Sequence, residues 1–231
     1  MARRYVIKQD AAPAAPISGI DYRTALNEEQ YAAVSSEPGP ALVIAGAGSG
    51  KTRTLTYRVA WLLDHGTDPW NILLLTFTNK AAREMTERVR SLIPLDLSRL
   101  WSGTFHSIAN RILRQHAEYL GYTPAFTIMD SDDRKSMIKS VVKSLKLDEK
   151  STRFPKPEVL SSLFSLADNE GANIQETLEN AYPYLSNHLD AILDVHEQYV
   201  ARKQETNSMD FDDLLLNVVR LFQEQEHLRA L

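Results

Sequence analysis

Residues 45 to 52 of the chain read Ala45-Gly46-Ala47-Gly48-Ser49-Gly50-Lys51-Thr52. A short apolar run, Ala41 to Ile44, precedes this stretch, and residues 53–63 have the composition of a helix. A strand, a glycine-rich loop and a helix in this order, with Gly-Lys-Thr at the turn, predict a loop that binds phosphate groups. A glycine-rich turn with an exposed lysine is the alternative, but both flanking segments that the motif requires are present. Ala45 stands where the general pattern has its first glycine.

The chemistry of phosphate binding explains why these residue types occur together. Glycines let the backbone curl so that successive N–H groups point inward, and the following helix directs its positive end at the same point. Lys51 can reach the β- and γ-phosphates of a nucleotide as a mobile charge. The Thr52 hydroxyl can coordinate Mg²⁺, which takes only one or two oxygen ligands from the protein.

The composition excludes several classes of protein. The chain has 231 residues, a net charge of −4, 43% hydrophobic residues and no cysteine. It therefore has no disulfide framework, thiolate metal site or cysteine nucleophile, which fits a reducing cytoplasm. No apolar run approaches the ~20 residues that span a membrane. Basic residues slightly exceed acidic ones before residue 120, so a polyanionic partner is expected on the first half, although a solvated surface explains this asymmetry equally well.

The order of predicted elements indicates an α/β fold with a mostly parallel sheet. Strands are expected at Ala41–Ile44, at Ile72–Phe77, where the continuous apolar run predicts burial on both faces, and near Leu100–Trp101. Helices are expected between them. Residues 121–205 are nearly all helical in pattern and are interpreted as an insertion, with residues 206–231 returning to the main domain. Residues 1–20 are expected to be a disordered tail.

Two polar groups at predicted helix starts have both a structural and a functional interpretation. Asn27 and Gln30 have the spacing of a capping box, but the Gln30 amide also suits the edge of an adenine. Asp210, Asp212 and Asp213 could hold a metal ion. However, Asp210 as a helix cap with Asp213 three residues later is the preferred explanation.

Two polar stretches follow neighbouring predicted strands, where ligands of open α/β sheets bind. They are Thr76-Phe77-Thr78-Asn79-Lys80 and Gly103-Thr104-Phe105-His106-Ser107. Their polar groups could hold phosphates, and Phe77 could stack on a base. The structural alternative is a core Phe77 with Thr78 as a helix cap. His106 is interpreted as a hydrogen-bonded or DNA-backbone residue rather than a general base.

A nucleotide hydrolase of this kind also needs an apolar strand that ends in Asp or Asp-Glu. The sequence contains no such strand. Ile192-Leu193-Asp194 comes closest, but it lies in a helical pattern. No arginine can be assigned to stabilise a transition state.

Five ordered stretches together resemble the N-terminal part of a superfamily 1 DNA helicase of the UvrD/Rep/PcrA type, over about residues 22–231. Leu26–Gln30 resembles the adenine-reading Q motif, and Ala45–Thr52 resembles motif I, which has alanine first in that family. Thr76–Ala82 and Gly103–Ser107 resemble motifs Ia and Ib. Asp210–Leu214 resembles the return from the helical domain 1B into the RecA-like domain 1A.

This resemblance implies an incomplete RecA-like P-loop NTPase sheet, with domain 1A at 21–120, domain 1B at 121–205 and the return into domain 1A at 206–231. It implies ATP and Mg²⁺ as ligands, with Lys51 and Thr52 as the catalytic residues present and Thr52 as the metal contact. The implied nucleotide contacts are Gln30, Ala45, Gly46, Ala47, Gly48, Ser49, Gly50, Lys51, Thr52 and Arg53. The implied DNA contacts are Thr76, Phe77, Asn79, Lys80, Thr104 and His106.

The resemblance further implies a motor that couples ATP hydrolysis to 3′–5′ movement along single-stranded DNA, in DNA repair or replication. The implied partners are single-stranded DNA, duplex junctions and DNA-repair proteins, at the bacterial nucleoid in the cytoplasm. The chain stops at Leu231, before the family's Asp-Glu motif II. We therefore expect a piece of a longer helicase that binds nucleotide weakly, does not hydrolyse it alone, and self-associates through exposed sheet edges. A complete, non-catalytic nucleotide- or DNA-binding adaptor is one alternative, and a subunit of a helicase–nuclease is another.

Overall fold

A computed structural model describes residues 17–147 and 154–230. The chain divides into two units, Met1–Ile108 and Ala109–Leu231, and the division falls inside one helix. The predicted domain boundary after residue 120 stays a prediction.

The first unit begins with helices whose first residues are set by local capping. Asn27 and Thr78 each accept a hydrogen bond from the backbone three residues later, which satisfies one free N–H group of the helix start. The helices are α1 Tyr22–Ala25, α2 Glu28–Ser35, α3 Lys51–Asp64 and α4 Asn79–Leu92, and α5 Phe105–His116 crosses the division between the units. The strands are β1 Leu73–Thr76 and β2 Trp101–Thr104, and Pro69–Asn71 is a 3-10 turn.

The sheet of the first unit is parallel, as the sequence predicted. Leu73 pairs with Trp101 and Thr76 with Thr104, so both strands end at the same level. The α4 helix connects them in sequence. Leu74 is buried in one cluster with residues of α3 and α4, including Leu63 and Val89. The expected helices after the glycine-rich loop and after Thr78 are therefore confirmed.

The strand expected at Ala41–Ile44 is not formed. This segment has no strand hydrogen bonding, and Leu42 and Ile44 are 87% and 90% exposed. A strand needs a neighbouring backbone to pair with, and within residues 17–147 and 154–230 β1 pairs only with β2. The expectation that Ile72–Phe77 is buried on both faces is also wrong, because Leu73 and Phe77 are exposed.

The residues just before α1 are attached to the end of α3. The buried Asp64 carboxylate accepts hydrogen bonds from the Ile17 and Ser18 backbone N–H groups at 3.0 and 2.9 Å, and from the Tyr22 hydroxyl at 2.6 Å. The predicted disordered tail, residues 1–20, therefore contains residues 17–20 that are held in place. Residues 1–16 lie outside the described part of the chain.

The second unit is helix-rich, as predicted. Its remaining helices are α6 Ser131–Ser144, α7 Pro157–Glu170, α8 Ile174–Ala181, α9 Leu189–Glu205 and α10 Phe211–Glu224. Two short strands, β3 Thr127–Ile128 and β4 Ser208–Met209, pair in parallel, and three 3-10 turns lie at Ala117–Leu120, Pro183–His188 and Glu226–Ala230. None of the described helices is both long and apolar enough to cross a lipid bilayer.

Two hydrophobic clusters stabilise the second unit. The larger joins α6, α7, α8 and α9 through fully buried side chains such as Ile138, Phe164 and Ile192. The smaller joins α5 and α10, with Leu113 and Leu221 completely buried. Burying a side chain of this size contributes about 1.5–3 kcal/mol.

Candidate nucleotide and DNA sites

The glycine-rich loop ends at Gly50, which caps the N-terminus of α3. Gly48 and Gly50 have left-handed backbones, with φ of 79° and 83°, a conformation that glycine adopts without strain. No side chain caps α3, so its first N–H groups remain available at the positive end of a 14-residue helix. This arrangement suits an anion such as a phosphate group.

Lys51 and Thr52 lie in the first turn of α3, and both are exposed. The Lys51 ammonium donates hydrogen bonds to the carbonyls of Gly46 at 2.8 Å and Ala45 at 3.3 Å. The lysine therefore folds back over its own loop and must release these carbonyls to reach a phosphate. A cavity of about 370 Å³ borders Ala45 and Lys51.

Gln30, the residue predicted to contact adenine, is hydrogen-bonded to the phosphate loop. It completes the predicted capping box, because its backbone N–H donates to Asn27 and its side-chain oxygen accepts from the Asn27 N–H. In addition, the Gln30 side-chain N–H donates to the Ser49 carbonyl at 3.0 Å. Sequence reasoning missed this second contact, since nothing in the local pattern links residues 19 positions apart.

Arg53 points toward the helices that precede the loop. Its guanidinium donates to the Ala25 carbonyl at 2.8 Å and lies 5.0 Å from the centre of the Tyr57 ring. Its predicted role as a nucleotide neighbour stays a prediction.

The two stretches predicted to contact DNA meet at one edge of the sheet. Thr76 and Thr104 are paired at the carboxyl ends of β1 and β2. The next residues, Phe77 and Phe105, have ring centres 5.9 Å apart. Phe77 is 90% exposed, so the alternative of a core Phe77 is wrong, while Thr78 does cap α4 with a 3.1 Å hydrogen bond.

The other predicted DNA contacts lie around this aromatic pair. Asn79 and Lys80 are exposed in the first turn of α4, and His106 is half-buried in the first turn of α5. Gly103 is buried where α5 approaches β2, and a Cβ atom there would collide with the Ser107 hydroxyl. The structure thus brings Thr76, Phe77, Asn79 and Thr104 to one edge.

The acidic cluster at the start of α10 forms a helix cap and ion pairs. Asp210 and Asp213 form the predicted capping box. Asp210 also accepts from the Tyr199 hydroxyl at 2.7 Å and from Lys203 at 3.2 Å, and Asp212 pairs with Arg134. Within residues 17–147 and 154–230, no group of three or more His, Cys, Asp or Glu side chains could hold a metal ion.

The partners of Asp210 set its protonation. Burial raises the pKa of the Asp210 carboxyl, but Lys203, Arg134 and the Tyr199 hydrogen bond outweigh burial and hold it below its usual range. The carboxylate is therefore ionised and fully engaged in the fold. Sequence reasoning missed Lys203 and Arg134 as partners of Asp210. They lie on other helices, α9 and α6, and only the folded chain brings them to the start of α10.

The chain matches the family model described as UvrD/REP helicase N-terminal domain over residues 26–231. It belongs to this family. Among curated proteins, it is 41% identical over 199 residues to the ATP-dependent DNA helicase PcrA of Staphylococcus aureus, and likewise to that of Staphylococcus epidermidis. Each match covers 86% of the chain and 26% of the relative, so the chain spans about a quarter of the length of these helicases.

Proposed function

We propose that this chain is the ATP-binding N-terminal part of a DNA helicase that moves 3′ to 5′ along single-stranded DNA during DNA repair or replication. The observation that carries the nucleotide part is the 3.0 Å hydrogen bond from the Gln30 amide to the Ser49 carbonyl. This bond joins a side chain suited to adenine to the loop suited to phosphates. The family and the names of its relatives support the same activity.

Each part of the loop has a distinct task in nucleotide binding. The first N–H groups of α3 donate hydrogen bonds to the phosphates, and Lys51 exchanges the Gly46 and Ala45 carbonyls for phosphate oxygens. The Gln30 amide orients the base, and Arg53 lies beside the nucleotide. These groups bind and position the nucleotide.

The described residues fit a magnesium ion that arrives with the nucleotide. The Thr52 hydroxyl is exposed at the start of α3, and in the described ranges it has no hydrogen-bond partner. When bound, Mg²⁺ neutralises phosphate charge. Within residues 17–147 and 154–230, no strand ends in Asp-Glu. For this reason we expect the chain alone to bind ATP without turning it over.

The DNA part of the proposal rests on the paired ends of β1 and β2. Thr76, Phe77, Asn79, Lys80, Thr104 and His106 are proposed to contact single-stranded DNA near a duplex junction. An exposed aromatic ring next to polar groups provides both stacking and backbone contacts. We also propose how the chain divides into the domains of the parent motor. Residues 21–120 and 206–231 belong to the RecA-like domain 1A, and residues 121–205 form domain 1B. The proposed partners of the parent include DNA-repair proteins at the nucleoid.

Self-association is also proposed, through the unpaired segment Ala41–Ile44. Toward the other described residues, the backbone of this apolar segment forms no backbone–backbone hydrogen bond, and such a segment is a template for pairing with a second chain. Sedimentation should show a larger species as the protein concentration rises. A chain that stays monomeric throughout would contradict this part of the proposal.

Steady-state ATP hydrolysis, with and without oligo-dT, tests the assignment beside a Lys51→Ala control. A fluorescent ATP analogue should bind the unmodified chain and lose most of its affinity for Lys51→Ala, with no turnover above that control. Unchanged affinity would overturn the assignment of the loop. Turnover that DNA stimulates and Lys51→Ala abolishes would place a catalytic carboxylate within these residues and overturn the expected inactivity.

A further inference from the structure

A second polar cavity, of about 270 Å³, lies beside the paired strand ends and is not part of the phosphate loop. One wall is formed by α4, with Asn79, Arg83 and Glu87. The opposite wall is formed by Ser102 and Ser107, which belong to β2 and the start of α5. The cavity therefore lies in the first unit, and it shares Asn79 with the residues proposed to contact DNA.

One wall of the cavity carries a cationic side chain, Arg83, that does not stabilise the fold through an ion pair among the described residues. Arg83 is exposed, and within the described part of the chain its guanidinium forms no hydrogen bond or ion pair. Its neighbour Glu87 is paired with Arg90 instead. Asn79 lies one helical turn before Arg83 on the same face of α4, so an amide and a guanidinium face one space.

The opposite wall adds polar atoms without negative charge. The Ser107 hydroxyl donates to the Thr104 carbonyl at 2.9 Å, and the Ser102 and Thr86 hydroxyls lie 2.8 Å apart. Gly103 allows this close approach of α5 to β2. An anion in the cavity would therefore meet Arg83 and Asn79 as donors, with only Glu87 opposing it.

The cavity lies close to the aromatic pair along the chain. Asn79 follows Phe77 by two residues and Ser107 follows Phe105 by two residues, so each lies within about 7 Å of its aromatic neighbour along the chain. The two rings themselves are 5.9 Å apart. The residues that line the cavity are therefore near enough in the chain to the aromatic pair for one nucleotide to contact both.

We propose that Arg83, together with Asn79, binds a backbone phosphate of the single-stranded DNA whose base stacks on Phe77 and Phe105. The inference rests on the proposed function and adds Arg83 to the DNA-binding residues. Guanidinium binds phosphate through two parallel hydrogen bonds, which fixes the position of the strand as well as attracting it. The contact carries no base preference.

The matched variants are Arg83→Gln and Arg88→Gln. Both remove one exposed arginine charge from α4, but Arg88 does not line the cavity. Fluorescence anisotropy with labelled oligo-dT, measured over a series of salt concentrations, gives the affinity and its salt dependence. Arg83→Gln should weaken binding about threefold to tenfold and reduce the slope of log K against log salt by about 0.7, the value for one phosphate of a single strand.

Further measurements separate the possible outcomes. Arg83→Lys should restore most of the slope, because the charge returns without the planar fork. Binding of the ATP analogue should be unchanged in Arg83→Gln, which distinguishes a DNA phosphate from a nucleotide phosphate. If Arg83→Gln and Arg88→Gln behave alike while Phe77→Ala weakens binding, the inference is wrong and the proposed DNA site stands. If the unmodified chain does not bind oligo-dT, the proposed DNA function fails as well.

Discussion

The side-chain amide of Gln30 holds the carbonyl of Ser49 at 3.0 Å, so a helix that precedes the phosphate loop is bonded directly to the loop's last turn. The same side chain accepts from the Asn27 N–H at its other end. One glutamine thus links the start of α2, the loop and the proposed adenine position. The amide has two N–H donors, so one is held by Ser49 and the other is left for a nucleotide base.

Gln30→Glu separates these two roles. A glutamate keeps the oxygen that accepts from Asn27 but cannot donate to Ser49, and its charge faces a carbonyl. We expect a melting temperature close to that of the unmodified chain and a roughly tenfold loss of affinity for the ATP analogue, in line with a hydrogen bond worth about 1–1.5 kcal/mol. An equal loss of affinity for an analogue without a base would show that the effect comes from the loop alone.

The backbone at Gly50 gives a second prediction. A Cβ there would lie 2.8 Å from the Gln30 side-chain nitrogen, and φ is 83°. Gly50→Ala should therefore lower the unfolding free energy by about 1–2 kcal/mol. Gly46→Ala is the matched control, because nothing lies within 4 Å of its added Cβ and its φ is not positive. Urea denaturation compares the two, and equal stabilities would contradict the described loop geometry.

The exposed ring of Phe77 should matter for DNA and not for folding. Phe77→Ala removes a 90% exposed side chain, so the melting temperature should stay unchanged. Affinity for oligo-dT should fall about fivefold to a hundredfold, since stacking contributes about 1–3 kcal/mol per base. Tyr184→Ala, which removes another exposed ring, is the control and should bind DNA normally. A drop in affinity for both variants would point to a nonspecific effect of aromatic residues.

Asp168 makes stability depend on pH. Burial raises the pKa of its carboxyl from 3.8 to about 6, against the opposing effect of Lys203. A raised pKa in the folded chain means that protonation favours folding, so this contribution is full below pH 4 and is lost as the pH rises through 6.

Asp168→Asn should therefore stabilise the chain by about 1–2 kcal/mol at pH 7 and have little effect near pH 4, which denaturant unfolding at the two pH values measures. Asp194→Asn changes an exposed carboxylate and should leave the difference between the two pH values as it was. If Asp168→Asn behaves like Asp194→Asn, the carboxyl is not desolvated as described.

The features that the sequence predicted correctly depend on residues close together in the chain. Asn27 with Gln30, Thr78 with Ala81, and Asp210 with Asp213 lie within four positions of each other, so their spacing determines the bond. The glycine-rich loop and the helix after it were predictable for the same reason. The parallel ends of β1 and β2 followed from the alternation of strands and helices.

The features that could not be predicted from the sequence depend on partners that are far apart along the chain. Asp64 holds Ile17 and Ser18 across more than 40 positions, and Arg134 meets Asp212 across 78. The apolar run Ala41–Ile44 has a strand's composition, yet a strand exists only where another backbone completes its hydrogen bonds. The composition of a segment shows its tendency to form a strand, but the strand forms only where a second backbone lies beside it.

The open backbone of Ala41–Ile44 leads straight into the loop that carries Lys51, and this connection has an entropic consequence. Fixing a residue's backbone costs about 1–2 kcal/mol. While the segment is unpaired, a nucleotide that orders the loop must also restrict its preceding residues, which weakens binding. Any neighbour that pairs with the segment beforehand removes that cost, so nucleotide affinity depends partly on what covers the apolar segment before the loop.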